Sequence, residues 1–226
     1  MDILYNNSVL NSEQRKEWLN NITSLIEQCN EGLKLIIQAQ IEDDYLKNSN
    51  PNLYSWLCNL YSALKYTTIL FGDILVMHKY YLLTSNEYEK RFFRGKTKIM
   101  LNEGFKKLYG FTNRKIKKKE NTIWQNIGDL MKSITRSRLH DDYVSISKDF
   151  EKLSISFDWW KEERNIEVHL VSDKLLENRM EELNESKYMM ECYELIILLN
   201  KVKNLLYDIH NVYYRYITCH IQNNEL

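Results

Sequence analysis

An arginine and a histidine five positions apart are the residues of this chain best suited to chemistry; they lie in Glu163-Arg164-Asn165-Ile166-Glu167-Val168-His169-Leu170. A guanidinium is a permanent, forked hydrogen-bond donor, and an imidazole is the one side chain that ordinarily titrates near neutrality. On an ideal helix five positions turn through about 140°, so Arg164 and His169 do not stack. Asn165 and His169, four apart, share a face. Asp158, Glu162, Asn165 and His169 step by four, three and four, which draws a polar stripe, while Phe157, Trp160 and Ile166 offer apolar contacts on the other side. Polar stripes commonly face solvent, and an Arg-to-His spacing of five is frequent by chance. The spacing alone therefore leaves a solvated face and a chemical pair both open.

The elements that must position these residues are helices. One Pro and six Gly in 226 residues are too few for the turns of sandwiches, barrels or βα units. Asn11 and Gln14 form a capping pair ahead of Trp18, Ile22, Leu25, Ile26, Cys29, Leu33, Ile36 and Ile37, spaced as an amphipathic helix. Residues 42–52 read as a polar loop. A second long helix runs from Leu53 through Leu75 to Tyr81. Thr84 and Glu87 suggest another capping box, for a helix that Gly110 closes. Asn113 to Glu120 reads as a mobile loop. Thr122 and Gln125 open a shorter helix through Ile134, and Asp141 or Asp142 caps a stretch running on to His169. Ser172-Asp173 starts a short helix, and the last long one spans about Ser186 to Tyr216. The expectation is one all-α domain over residues 1–226, an up-and-down bundle of about seven helices.

Composition narrows the class further. Hydrophobic residues make up 44% and charged residues 27%, which is globular and not disordered. Cys29, Cys58, Cys192 and Cys219 form no metal or redox pattern, so small buried thiols in a reducing compartment are expected. No basic, apolar leader opens the sequence and no apolar run approaches the length of a bilayer span, so the expected location is cytoplasmic, without membrane partners. Glycine-rich phosphate loops, GxSxG, HExxH and Cys/His metal patterns are absent, and no cofactor or metal is expected. His78, His140, His210 and His220 are scattered, and structural or surface roles are expected of them.

The charge balance is zero, but its distribution is uneven. From Lys90 to Lys119 there are twelve Lys/Arg against Glu103, a local +11 that the rest of the chain offsets with −11. Arg91, Arg94, Lys96, Lys98, Lys106, Lys107, Arg114, Lys115, Lys117, Lys118 and Lys119 are the candidate cations for a phosphate-bearing partner. Tyr88, Phe92, Phe93 and Tyr109 are interleaved with them, which suits base stacking. The plainer reading makes this a solvated helix whose Tyr88, Phe92 and Phe105 enter the core at helical spacing.

An all-α chain of this size with Arg164-Asn165-x-x-x-His169 late in its length resembles the HEPN superfamily. Its members carry an R-x(4–6)-H signature, often with Asn directly after the Arg. The likeness covers roughly residues 157–184, and Leu170 departs from the aromatic residue expected after the His. The resemblance implies a homodimer with two Arg/His pairs along a shared groove, and a metal-independent endoribonuclease. In that reading His169 moves a proton at the 2′-hydroxyl or leaving oxygen, and Arg164 meets the charge building on phosphorus. Asn165 orients the ring or contacts phosphate, Glu162 or Asp158 fixes its tautomer, and the product is a 2′,3′-cyclic phosphate. RNA is the expected partner, with an antitoxin or defence-system partner for a toxin or anti-phage effector. A non-catalytic RNA- or protein-binding module on the same scaffold is the alternative, and a purely structural bundle a third.

Overall fold

Asn11 caps the first helix with both arms of a capping box, its side chain accepting from Glu13 N and Gln14 N while Gln14 accepts from Asn11 N. The computed structural model describes residues 11–110, 122–132, 138–153 and 185–224, and all regular structure among them is helical. In order these are α1 (Ser12–Glu42), a 3-10 turn (Asp43–Tyr45), α2 (Leu46–Ser49), α3 (Pro51–Leu83), α4 (Glu87–Leu108), α5 (Ile123–Met131), α6 (138–153) and α7 (Glu185–Asn224).

α3 is the centre of the fold. Its buried residues, from Leu57 and Leu60 through Phe71, Ile74 and Leu75 to His78 and Leu82, cover a swath about 180° wide along its whole length. Residue pairings fix the direction of every neighbour. Trp18 meets His78, and Gln40 meets Lys65. Tyr80 stacks on Phe93, and Leu70 lies against Gly104. Tyr81 packs on Tyr188, Tyr61 on His210 and Trp56 on Tyr213. In each series one number rises as the other falls, so α1, α4 and α7 all run antiparallel to α3. The all-α expectation matches this arrangement. α5 and α6 close the end of the bundle near the C-terminus of α4, where Phe150 stacks on Tyr109 at 4.7 Å between ring centroids and also meets Phe105 and Trp124.

Several boundaries differ from those expected. The polar stretch after Glu42 is not a plain loop: a 3-10 turn and α2 fill it, and only Asn50 breaks the helical path before Pro51 takes the first position of α3. α4 is capped by Asn86, which accepts from Tyr88 N and Glu89 N, and not by Thr84. Thr84 is occupied in ending α3, its N–H bonded to Tyr80 O at 3.1 Å. Asp141 and Asp142 lie inside α6, which is already helical at residue 138. Gly110 does end α4, at φ +88°, a left-handed conformation that costs glycine little, with its N–H reaching Phe105 O. The Thr122/Gln125 capping box is complete. By length and composition α3 could cross a bilayer, contrary to the expectation that no segment approaches that. However, 56% of its most apolar window is buried inside the fold, the situation of a core helix.

α3 and α4 approach closely at Gly104, where an added Cβ would lie 2.5 Å from Leu70 Cδ1 and 3.1 Å from its Cγ. Because the Leu70 branch point as well as its tips is in the way, the side chain cannot swing aside freely. Gly104→Ala should destabilise the protein by about 1–3 kcal/mol. Combined with Leu70→Ala the total should fall clearly short of the sum of the two single changes in urea titrations. Additive losses would show that the helices do not meet there.

Candidate nucleic-acid interface

α4 carries the described part of the basic segment, and the helix sorts its cations by face. Lys96, Lys106 and Lys107 are exposed, Arg91 and Arg94 are half-buried, and Lys98 is 3% exposed. Lys98 is therefore withdrawn from the solvent-facing surface expected of it. Lys90 is half-buried beside Glu87, 3.5 Å away. Thr97, Leu101, Gly104, Phe105 and Leu108 form the opposite, core-facing side.

The aromatic residues divide in the same way. Phe105 enters the core, as its spacing suggested, but Tyr88 is 67% and Phe92 40% exposed. Thirteen positions separate Phe92 from Phe105, a rotation of about 220°, so one helix face cannot hold both. Phe92 meets Phe93 edge-on at 5.6 Å, and Phe93 stacks on the half-exposed Tyr80 of α3 at 5.6 Å and 18°. The Lys96 ammonium sits 5.5 Å over the Phe92 ring, and Lys107 sits 4.7 Å over Tyr66. Cations and π faces are thus in contact along one side of the α3–α4 pair.

Arg164, Asn165 and His169, with Glu162 and Asp158, lie outside the described residues, as do Arg114, Lys115, Lys117, Lys118 and Lys119 and the expected loop at 113–120. The helices on either side of 154–184 are described, and both are fastened to α4. α6 is held by Phe150 against Phe105 and Tyr109, and α7 by the Tyr188 hydroxyl, which donates to Thr97 Oγ1 at 3.1 Å.

Two polar clusters escaped sequence reasoning because their members are far apart in the chain. In the first, the Trp18 indole N–H donates to His78 Nε2 at 3.1 Å. His78 Nε2 must therefore be the acceptor, the proton lies on Nδ1, and Nδ1 has no hydrogen-bond partner. Tyr81 and Tyr188 pack around the ring. In the second, the Tyr61 hydroxyl donates to Asp43 and lies 3.2 Å from His210 Nε2, so that nitrogen must carry the proton and donate to the phenol oxygen. Burial lowers the pKa of His210, and Asp43 partly opposes this. Both histidines hold helices together. Among the described residues no group of three or more His, Cys, Asp or Glu is arranged to hold a metal. Cys29 and Cys192 are buried and Cys58 is half-buried, and none of the three is in a disulfide.

No family model matches this chain, and no curated protein or solved structure matches it either.

Complete burial holds the His78 pKa down to about 4 from its ordinary 6.5. The folded state thus binds a proton less readily than the unfolded chain. The stability tied to neutral His78 is fully present above about pH 6.5, is lost as pH falls from there towards 4, and changes no further below. The loss amounts to about 3 kcal/mol. Comparing unfolding free energies of the parent and His78→Gln from about pH 7.5 to about pH 4.5 isolates this contribution from the carboxylates. The parent should lose more than the variant across that window; a constant difference would reject the assignment.

Proposed function

We propose that this protein acts on RNA as a metal-independent endoribonuclease, with Arg164 and His169 as its reacting pair. The observation that carries the reading is Arg164-Asn165-x-x-x-His169, set between two helices that both pack on the basic helix α4. The helices that lead into and out of residues 154–184 are thus both anchored on the helix proposed to hold RNA. His169 would take the 2′-hydroxyl proton or give one to the leaving oxygen, and Arg164 would offset charge on the phosphoryl oxygens. Asn165, with Glu162 or Asp158, would orient the imidazole. A HEPN-type protein would work as a homodimer with the two pairs across one groove, in the cytoplasm, as a toxin or defence effector held in check by a partner.

A second reading keeps the scaffold and drops the chemistry. Leu170 stands where the family has an aromatic residue, which favours a binding module that holds RNA without cutting it. The two separate in one assay. Purified protein is incubated with end-labelled RNA in EDTA, and the products are examined for 2′,3′-cyclic phosphate ends. His169→Ala and Arg164→Ala should each slow cleavage by about 10²–10⁴-fold while leaving RNA affinity within a few-fold of the parent. If His169→Ala cuts as fast as the parent, that residue is not the proton-transfer group. Tight binding by a parent that never cuts would establish the second reading.

A further inference from the structure

We infer that the solvent face of α4 is a binding strip for single-stranded RNA, on which unpaired bases stack against Tyr88 and Phe92 while Lys96, Lys106 and Lys107 take the phosphates. The inference rests on the RNA part of the function proposed above and not on cleavage.

Tyr88, Phe92, Lys96, Ile99, Glu103 and Lys106 recur at spacings of four, four, three, four and three, so they form one line along the helix. The line is about 27 Å long, the reach of a few nucleotides. Its N-terminal half is aromatic; Lys96 sits at its middle and Lys106 at its end, with half-buried Ile99 and Glu103 between them. Tyr88 is 67% exposed although it belongs to a residue type that a core readily accepts, and Phe92, with no polar atom to solvate, is 40% exposed. Phe92 meets Phe93 edge-on, and Phe93 is itself stacked on Tyr80, so the ring has a neighbour on one side while part of it stays open to water. An aromatic side chain has few rotatable bonds, so it loses little conformational entropy when a base stacks on it.

Charge identifies the occupant. The exposed cations of α4 are Lys96, Lys106 and Lys107, flanked by half-buried Arg91 and Arg94, against half-buried Glu103. Of the two carboxylates at the start of the helix, Glu87 lies 3.5 Å from the Lys90 ammonium, while Glu89 accepts from the Thr84 hydroxyl and keeps its charge. A protein-binding patch is ordinarily depleted of charge at its centre, whereas Lys96 lies directly over the Phe92 ring. A duplex would use the lysines and leave the rings idle, because its bases are already stacked. A single strand uses both, base on ring and phosphate on ammonium.

Binding of a fluorescent oligouridylate, of a hairpin duplex and of anionic lipid vesicles is measured on the full chain carrying His169→Ala, so that cleavage cannot intervene. The single strand should bind at least about tenfold more tightly than the duplex. Tyr88→Ala with Phe92→Ala should weaken the single strand by about tenfold or more without changing the salt dependence. Lys96→Gln, Lys106→Gln and Lys107→Gln together should lower the slope of log affinity against log salt by about 2. Both sets lie on the exposed face, and unchanged helicity and Tm will show that the fold is intact. Equal affinity for strand and duplex, or an aromatic pair whose loss changes nothing, would overturn the inference. So would vesicle binding that RNA does not displace. Single-strand binding that depends on these residues, in a parent that does not cleave, would sustain the inference and reject the nuclease.

Discussion

Everything described in this bundle depends on keeping water away from one half of α3. That half carries Tyr61, Phe71 and Tyr81 besides its leucines and isoleucines, and truncating any one large aliphatic side chain in such a core costs about 2–5 kcal/mol. A swath that wide is broader than one partner helix can cover, so α1, α4 and α7 must each take a share. Because all three run antiparallel to α3, they are parallel to one another. Trp18 against Tyr193 and Gly32 against Tyr207 show this directly for α1 and α7.

Apolar burial alone would let these helices slide, because a leucine accepts several neighbours almost equally well. Directional contacts at the two ends of α3 remove that freedom. At the C-terminal end, Trp18 bonds His78, Arg15 donates to the Leu82 carbonyl, and Tyr188 bonds Thr97. At the other end, the Asp43–Tyr61–His210 chain joins the turn after α1 to α3 and α7. Between them Lys203 of α7 projects into the core with its ammonium 4.9 Å over the Phe71 ring, and burial lowers its pKa. Each of these groups is costly to bury without its partner, so a shift by one helical turn would leave several unsatisfied together. That is the physical source of a single register.

Local signals are legible in this sequence, and long-range ones hardly at all. The capping boxes at Asn11/Gln14 and Thr122/Gln125 and the glycine stop at Gly110 each involve residues within a few positions, and each is present. Thr84/Glu87 has the same local pattern as Asn86/Glu89, and nothing in the spacing chooses between them. The choice falls to Asn86 because the Thr84 backbone is closing α3. Asp141 and Asp142 mislead in a similar way, since aspartates are frequent both at helix starts and on exposed helix faces. The Tyr61–His210 and Trp18–His78 bonds join residues 149 and 60 positions apart, beyond any periodicity argument. The basic segment was legible as charge but not as geometry. Only the rotation of α4 shows that Lys98 is interior while Tyr88 and Phe92 are not.

The two faces of α4 differ enough for one helix to serve stability on one side and the proposed recognition on the other. Its inner face is held by Leu70 against Gly104, Tyr188 against Thr97 and Phe150 against Phe105, contacts from three different helices. Such a helix can carry exposed rings and lysines outside without losing its position, because its buried contacts are made on the other side. The contacts to Thr97 and Phe105 are about 12 Å apart along the axis, and they belong to the helices that enter and leave residues 154–184. A substitution that loosened α4 from α3 would therefore shift both ends of the Arg164/His169 segment together with the cationic strip. On the function proposed above, damage to the inner face should then impair RNA binding and cleavage in parallel, whereas damage to the outer face should affect binding first.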